Sequence, residues 1–265
     1  MSVAAPLSRA QARHTSAHRL SFAHLLRSET VKILSLRSTW WVLGIAVALS
    51  VGISLLFAAA VSGIGSSPNA VTVILLPLQF TMLVAGILGA IVVTGEYSTG
   101  MIRSTLTAEP RRGAVVLAKA LVVSLVIAVT TAVGYAIAAL VTAPLLSSGL
   151  DWSDPARSTI PLALGVVSMV AFTLLGLGFG FLIRAGAGAI AATVGVLFVL
   201  PIVLGLFAIA GEGWQWIADA GRYLPSNAAT TLTAAGGAGD ATVEAALSLA
   251  GWVVIPMVLG WVVLR

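Results

Sequence analysis

The sequence predicts an all-α polytopic membrane protein with six transmembrane helices, and three observations carry that prediction. Of its residues 59% are hydrophobic and only 9% charged, whereas soluble domains carry about 25% charged residues. Mean hydropathy is +1.07. Six segments, 40–62, 71–94, 114–142, 160–183, 187–210 and 243–264, each reach the roughly 20 apolar residues a bilayer crossing demands. In hydrocarbon the backbone must satisfy its own polar groups, which points such segments to helix. Cysteine is absent, so neither thiolate chemistry nor a disulfide framework is available. The formal charge of +5 is small and dispersed, which argues against a nucleic-acid surface.

Residues 1–17 are polar and read as a mobile tail. Over 18–39 a helical stripe appears, formed by Phe22, Leu25, Leu26, Ile33, Leu36 and Trp40, with Arg27 and Arg37 off its centre or at its edge. This predicts an amphipathic helix lying in the headgroup plane. Glu29 falls inside the stripe, where lipid would not tolerate it. It can pair with Lys32 three residues on or meet a polar element or partner elsewhere. A secretory signal ending at 58–60 is the competing reading, disfavoured because the apolar run after Trp40 outlasts the h-region of about 7–15 residues.

Segment 95–113 is the longest polar interruption between two spans and holds Glu96, Arg103, Glu109, Arg111 and Arg112. Ser98 or Thr99 reads as an N-cap, Met101 to Thr107 as two helical turns, and Glu109-Pro110 as their stop. The expected product is a short helix across the ends of two spans. Glu96 and Lys119 sit near those ends and either pair or snorkel separately to the headgroups.

Pro77, Pro161, Pro201 and Pro256 lie in or at the starts of spans, which bilayer helices tolerate. Placing the N-terminus, 95–119, Arg184 and the C-terminus on one face collects twelve bases against three acids there, and leaves two bases against six acids on the other. The positive-inside rule then puts both termini in the cytoplasm of a multi-pass plasma-membrane protein.

On the outer face, Asp154-Pro155 predicts a cap and a short helix before span 4. Region 211–242 carries Trp214 and Trp216, then Leu224, Pro225, Ser226 and Asn227, then a Gly/Ala run. Tryptophans there read first as interfacial anchors. Gly176, Gly178 and Gly180, with Gly186 and Gly188, let backbones approach closely, either inside the subunit or at a dimer or pathway surface.

Catalytic signatures are missing. A P-loop needs a glycine-rich turn ending in Lys-Ser or Lys-Thr, but Lys32 precedes Ile33 and Lys119 precedes Ala120. His14, His18 and His24 all precede the first span with no Cys or adjacent carboxylate to complete a metal set. Asp151-Trp-Ser-Asp154 resembles half of an acidic diphosphate-Mg²⁺ motif without its second half, and reads better as a loop or cap. An intramembrane lipid-modifying enzyme would need clustered acid, base or activated serine within the spans. It stands, with an accessory membrane protein that does not transport, as an alternative.

One known family fits these residues in order. Glu96, Gly100, Met101-Ile102, Leu106, Pro110, Arg112 and Lys119 resemble the pattern after the second span in membrane subunits of type-2 ATP-binding-cassette exporters. The wording of 95–103 and of 223–228 is similar to an actinobacterial branch. The resemblance implies that segment 95–112 is a coupling helix seated in an ATPase subunit, with Thr99, Gly100, Met101, Ile102, Arg103, Leu106 and Pro110 as its docking residues. It implies that 18–39 is a connecting helix within a subunit whose six-helix domain spans 40–265. It also implies that 211–242 dips back as two half-helices closing the outer mouth, the second capped by Ser226 or Asn227. Glu96, Lys119 and Glu29 would transmit movement. ATP and Mg²⁺ would be held by the partner, with no cofactor in this chain. Two ATPase copies and a second permease copy complete the expected exporter, with an amphipathic or lipid-like cargo such as a drug, peptide or lipid.

Overall fold

The computed structural model describes residues 21–64, 68–146, 150–209, 211–234 and 239–264, and among them every regular element is helical. The predicted tail 1–17, His14, His18 and the start of the 18–39 helix lie outside the described residues. Helix α1 (Phe22–Ser35) is capped by Ser21, whose hydroxyl accepts from the Ala23 amide. At Leu36 the backbone becomes extended, and α2 (Arg37–Gly63) begins at once. The bend therefore falls four residues before the expected start of span 1. Trp40 Nε1 donates to the Leu34 carbonyl at 2.9 Å and clips the elbow. The bend splits the stripe: Ile33 is buried, while Leu36 and Trp40 are exposed.

Span 2 is two helices, α3 (Ala70–Leu75) and α4 (Leu78–Ser98), because Pro77 cannot donate and crowds the preceding turn. Thr81 Oγ1 donates back to the Pro77 carbonyl at 3.1 Å. After α5 (Met101–Ala108), α6 (Arg112–Thr142) forms span 3 and α7 (Thr159–Ile183) span 4. Span 5 joins α8 (Gly186–Val194) to α9 (Leu200–Phe207) through one π-helical turn, Gly195–Val199, just before Pro201. A wider turn at this place absorbs the donor that proline lacks. Short α10 (Gln215–Ala220) and α11 (Pro225–Thr233) precede span 6, α12 (Asp240–Leu264). The six helical stretches long and apolar enough to cross a membrane are thus those the sequence predicts.

Two local expectations fail. No helix forms after Asp154-Pro155; instead Asp154 Oδ1 accepts from the Ala156 amide and closes a turn. At α11 the N-cap is Leu224, with Pro225 in the first turn, so neither Ser226 nor Asn227 caps it. Asn227 Nδ2 donates to the Gly221 carbonyl at 2.8 Å and stabilises the preceding turn instead.

The centre of the bundle is the contact of α4 with α7, and glycine makes it. A Cβ on Gly89 would stand 1.9 Å from the Thr173 carbonyl oxygen, and one on Gly176 1.9 Å from that of Gly86. The two backbones touch directly. On its other side α7 meets α12: a Cβ on Gly178 would approach Pro256 Cβ to 2.7 Å, and one on Gly260 would approach Phe181 Cβ equally closely. The glycines singled out in span 4 therefore serve packing within the subunit. Gly89→Ala and Gly176→Ala are expected to lose ~1–3 kcal/mol or more by overpacking. Gly205→Ala, where an added methyl meets nothing within 4 Å, should leave thermal unfolding of the detergent-purified protein unchanged. Equal behaviour of all three would refute the contact.

Candidate functional site

Four elements converge at one end of the bundle: α1, the end of α4, α5 and the start of α6. Gly100 adopts φ +71°, a left-handed conformation that glycine enters without penalty, and so turns the chain sharply from α4 into α5. Ser98 and Thr99 do not cap α5. Both hydroxyls donate to the Gly95 carbonyl, at 3.0 and 2.9 Å, and finish α4. Their short side chains reach that carbonyl, which also accepts the Thr99 amide at 3.2 Å, before they can reach a new helix. α5 stops at Glu109 before Pro110, as the sequence predicts. The Glu109 carboxylate accepts from Arg111 Nε at 3.0 Å and from the Arg111 amide at 3.1 Å, and these bonds hold its pKa below the usual value.

The faces of α5 differ from the expected docking set. Ile102 is buried and Leu106 packs partly buried against the core, whereas Met101, Arg103, Ser104 and Thr107 are exposed. Two apolar residues four apart on a short amphipathic helix are pulled toward the bundle's own apolar end. Outward-facing α5 is thus polar apart from Met101 and Ala108.

Under α5 lies a closed set of charges. Lys119 Nζ is 2.5 Å from Glu29 Oε2 and 2.8 Å from Glu96 Oε1. Lys32 Nζ is 2.7 Å from Glu29 Oε1 and 3.0 Å from Glu96 Oε1, and it also donates to Thr105 Oγ1 at 3.3 Å. Glu29 and Lys119 are 0% and 1% exposed. Two carboxylates and two ammoniums alternate with no net charge, so each buried ion has counter-ions and bonds to offset its desolvation. Burial by itself would lower the pKa of Lys32, but Glu29 and Glu96 outweigh it and hold the ammonium above its ordinary value. The Lys32 contribution is therefore fully present below pH 10.5 and is lost only as pH rises through the raised value.

This arrangement answers the question posed by Glu29: it pairs with Lys32, and through Lys32 it also reaches α5. Glu96 and Lys119 pair rather than snorkel apart. The bond from Glu29 to Lys119, ninety residues away, has no signal in local spacing. The only hint was an acid on an apolar stripe and a lysine inside a span.

Two arginines close the same end. Arg112, at the start of α6, and Arg184, in the turn after α7, donate to the carbonyls of Leu264 and Val263 at the end of α12. Cations suit the orphan carbonyls and negative dipole of a helix C-terminus. Arg184 also lies over the Tyr97 ring, 5.7 Å from its centroid. Sequence alone marked both only as positive charge.

A cleft of about 350 Å³ opens between the α1–α2 elbow and α4, lined by Ile33, Val42, Leu88 and Val92 with Lys32 and Glu96 at its edge. Another of about 360 Å³ separates α1 from α5, lined by His24, Leu25, Ser28, Met101 and Thr105.

The expected outer set is not gathered in one place. Trp214 and Trp216 are exposed beside and on α10, Trp214 stacking obliquely on Phe207 with centroids 5.6 Å apart. Leu224, Pro225 and Ser226 are buried. Helix α11 packs Ala228, Ala229 and Leu232 into the main core, and the Tyr223 carbonyl before it accepts from Ser248 Oγ at 2.5 Å and Trp252 Nε1 at 2.8 Å. The Gly/Ala run at 235–238 lies outside the described residues. Asp151 accepts from Ser153, whose hydroxyl and amide keep its pKa low, so the acidic motif is occupied in a loop.

Six apolar spans, an amphipathic entry helix and one interspan helix bonded to the bundle through buried ions define a helical, polytopic membrane protein. Residues 15–265 match the family described as ABC-2 family transporter protein, and the chain belongs to that family. It is a permease subunit of an ATP-binding-cassette transporter, a family that works with an ABC ATPase subunit. No curated protein matches it significantly.

Lys119→Met should destabilise the protein by ~3–5 kcal/mol, because it strips one counter-ion from a fully buried Glu29. Adding Glu29→Leu should restore part of that loss. Unfolding midpoints in detergent for the single and double variants measure both, and an unchanged midpoint for Lys119→Met would show that the ions do not hold this end together.

Proposed function

We propose that this permease exports an amphipathic or lipid-like substrate as a homodimer driven by two ATPase subunits, and that α5 is where each ATPase engages it. The single observation that carries the reading is the link from α5 through Thr105 and Lys32 to Glu29, Glu96 and Lys119. A push on α5 has a short route of charge-assisted bonds into α4 and α6, without passing through exposed loops. The docking face in this reading is Met101, Arg103, Ser104 and Thr107, with Gly100 and Pro110 setting the turns at either end. Ile102 and Leu106 seat α5 on the bundle. Closure of the ATPases on Mg²⁺-ATP then tilts α5 and shifts the spans between two packings.

Charge supports the orientation. The α1/α5 end carries the basic surplus, which positive-inside placement assigns to the cytoplasm along with both termini. Region 211–242, with buried α11 and the exposed tryptophans, then faces outward and forms the external closure. An apolar interior with its ions confined to one end suits an amphipathic cargo better than a small ion.

Two outcomes test this. Arg103→Glu with Met101→Asp should abolish ATPase co-purification and transport while the unfolding midpoint stays put; normal transport would remove the docking role. Because the chain has no cysteine, Arg103→Cys and Trp216→Cys each give a single thiol. A membrane-impermeant maleimide applied to intact cells should label Trp216→Cys and spare Arg103→Cys, and the reverse pattern would invert the topology.

A further inference from the structure

Three of the buried hydroxyls left without a hydrogen-bond partner lie between spans 1 and 3, away from α5. Ser50 on α2, and Thr131 and Tyr135 on α6, carry buried hydroxyls with no hydrogen-bond partner among the described residues. All three border one cavity of about 10 Å³, together with Thr81, Thr130 and Met169. The two further threonines are already engaged as donors, Thr81 Oγ1 to the Pro77 carbonyl at 3.1 Å and Thr130 Oγ1 to the Val126 carbonyl at 2.8 Å. Small residues, Ala46 and Gly134, line the rest of the space, and Gly134 lies beside Ser50, where an added Cβ would stand 3.6 Å from Ser50 Oγ.

We infer that this cavity is a binding site for one water molecule, which joins Ser50 of span 1 to Thr131 and Tyr135 of span 3. The volume is close to the ~10–15 Å³ that a single water needs, and a buried water takes about two to four polar partners. Three unpaired hydroxyls supply that number. Each hydroxyl both donates and accepts, and water is the small ligand with the same dual character. A cation is disfavoured because no acidic residue lines the space and a buried charge requires one. An organic group is too large. The consequence is a hydrated joint between α2 and α6, in which one mobile molecule replaces interlocking side chains.

A double-mutant cycle on Ser50→Ala and Tyr135→Phe, read as thermal unfolding of the full chain in detergent, tests the site. With a bridging water each single variant should lower the midpoint by about 2–4 °C, and the double variant should depart clearly from the sum, because both hydroxyls bind the same molecule. Midpoints that stay level or rise in the single variants, with additive effects, are the behaviour of dry hydroxyls and would overturn the inference. An experimental density map of the wild-type protein gives an arm that does not depend on the variants folding. A peak within hydrogen-bond reach of Ser50 Oγ and Tyr135 Oη supports the site, and clear density for both side chains with nothing between them overturns it.

Discussion

Everything at the charged end of this protein depends on Lys119 keeping its ammonium out of the hydrocarbon without leaving the bundle. A lysine two turns into a span, 1% exposed, would ordinarily stretch to the headgroups. Here it stays inside, because Glu29 arrives from α1 and Glu96 from α4. That requirement fixes where α1 must lie. An amphipathic helix free to float on a bilayer surface has no preferred rotation against the spans, but one that must place Glu29 against Lys119 has a single register. Lys32, one turn further on, is then delivered to Glu96 and Thr105, and α5 is held by the same set. The ions act more to specify this arrangement than to stabilise it, since buried ion pairs rarely outdo an apolar replacement.

At the other level of organisation, glycine does what charge cannot. Between α4 and α7 the weak bond from Thr81 Oγ1 to Met169 Sδ, 3.6 Å long, does little to set the distance, and in a membrane the hydrophobic effect gives little drive to bring helices together. Removing side chains from the contact lets carbonyl and Cα surfaces approach closely, and dispersion over that area supplies the adhesion. Pro256 in α12 fits the scheme, since its compact ring nests against Gly178. Both wings of α7 are thus packed by absent or small side chains.

How much of this was legible in the residues varied with the kind of information involved. Span number and approximate limits were readable because twenty consecutive apolar residues leave one structural solution in lipid. Pro110 announced the end of α5 for the equally local reason that the residue before proline leaves the helical region. The misplaced cap at Ser98 and Thr99 has a different origin: both residues could finish α4 or start α5, and only the left-handed turn at Gly100 decides. Which face of α5 meets the bundle was not readable, because four apolar or basic residues in two turns do not say which side turns inward. Glu29 was visible as an anomaly, yet its partner ninety residues on was not, since no pattern in one sequence encodes a contact between elements that meet only after folding. The roles of Arg112 and Arg184 at the end of α12 were hidden for that same reason.

The backbone-to-backbone seam of α4 and α7 carries a consequence for how the molecule can change shape. Where Gly86 and Gly89 meet Thr173 and Gly176 no side chain lies between the backbones, so there are no alternative rotamers to move into, and sliding would drive carbonyl oxygens into Cα atoms. These two helices therefore behave as a keel. Spans 1 and 5, whose apolar windows are 28% and 11% buried against 61% for spans 2 and 4, are the planks left to move about it, and the break near Pro201 gives span 5 its own place to flex.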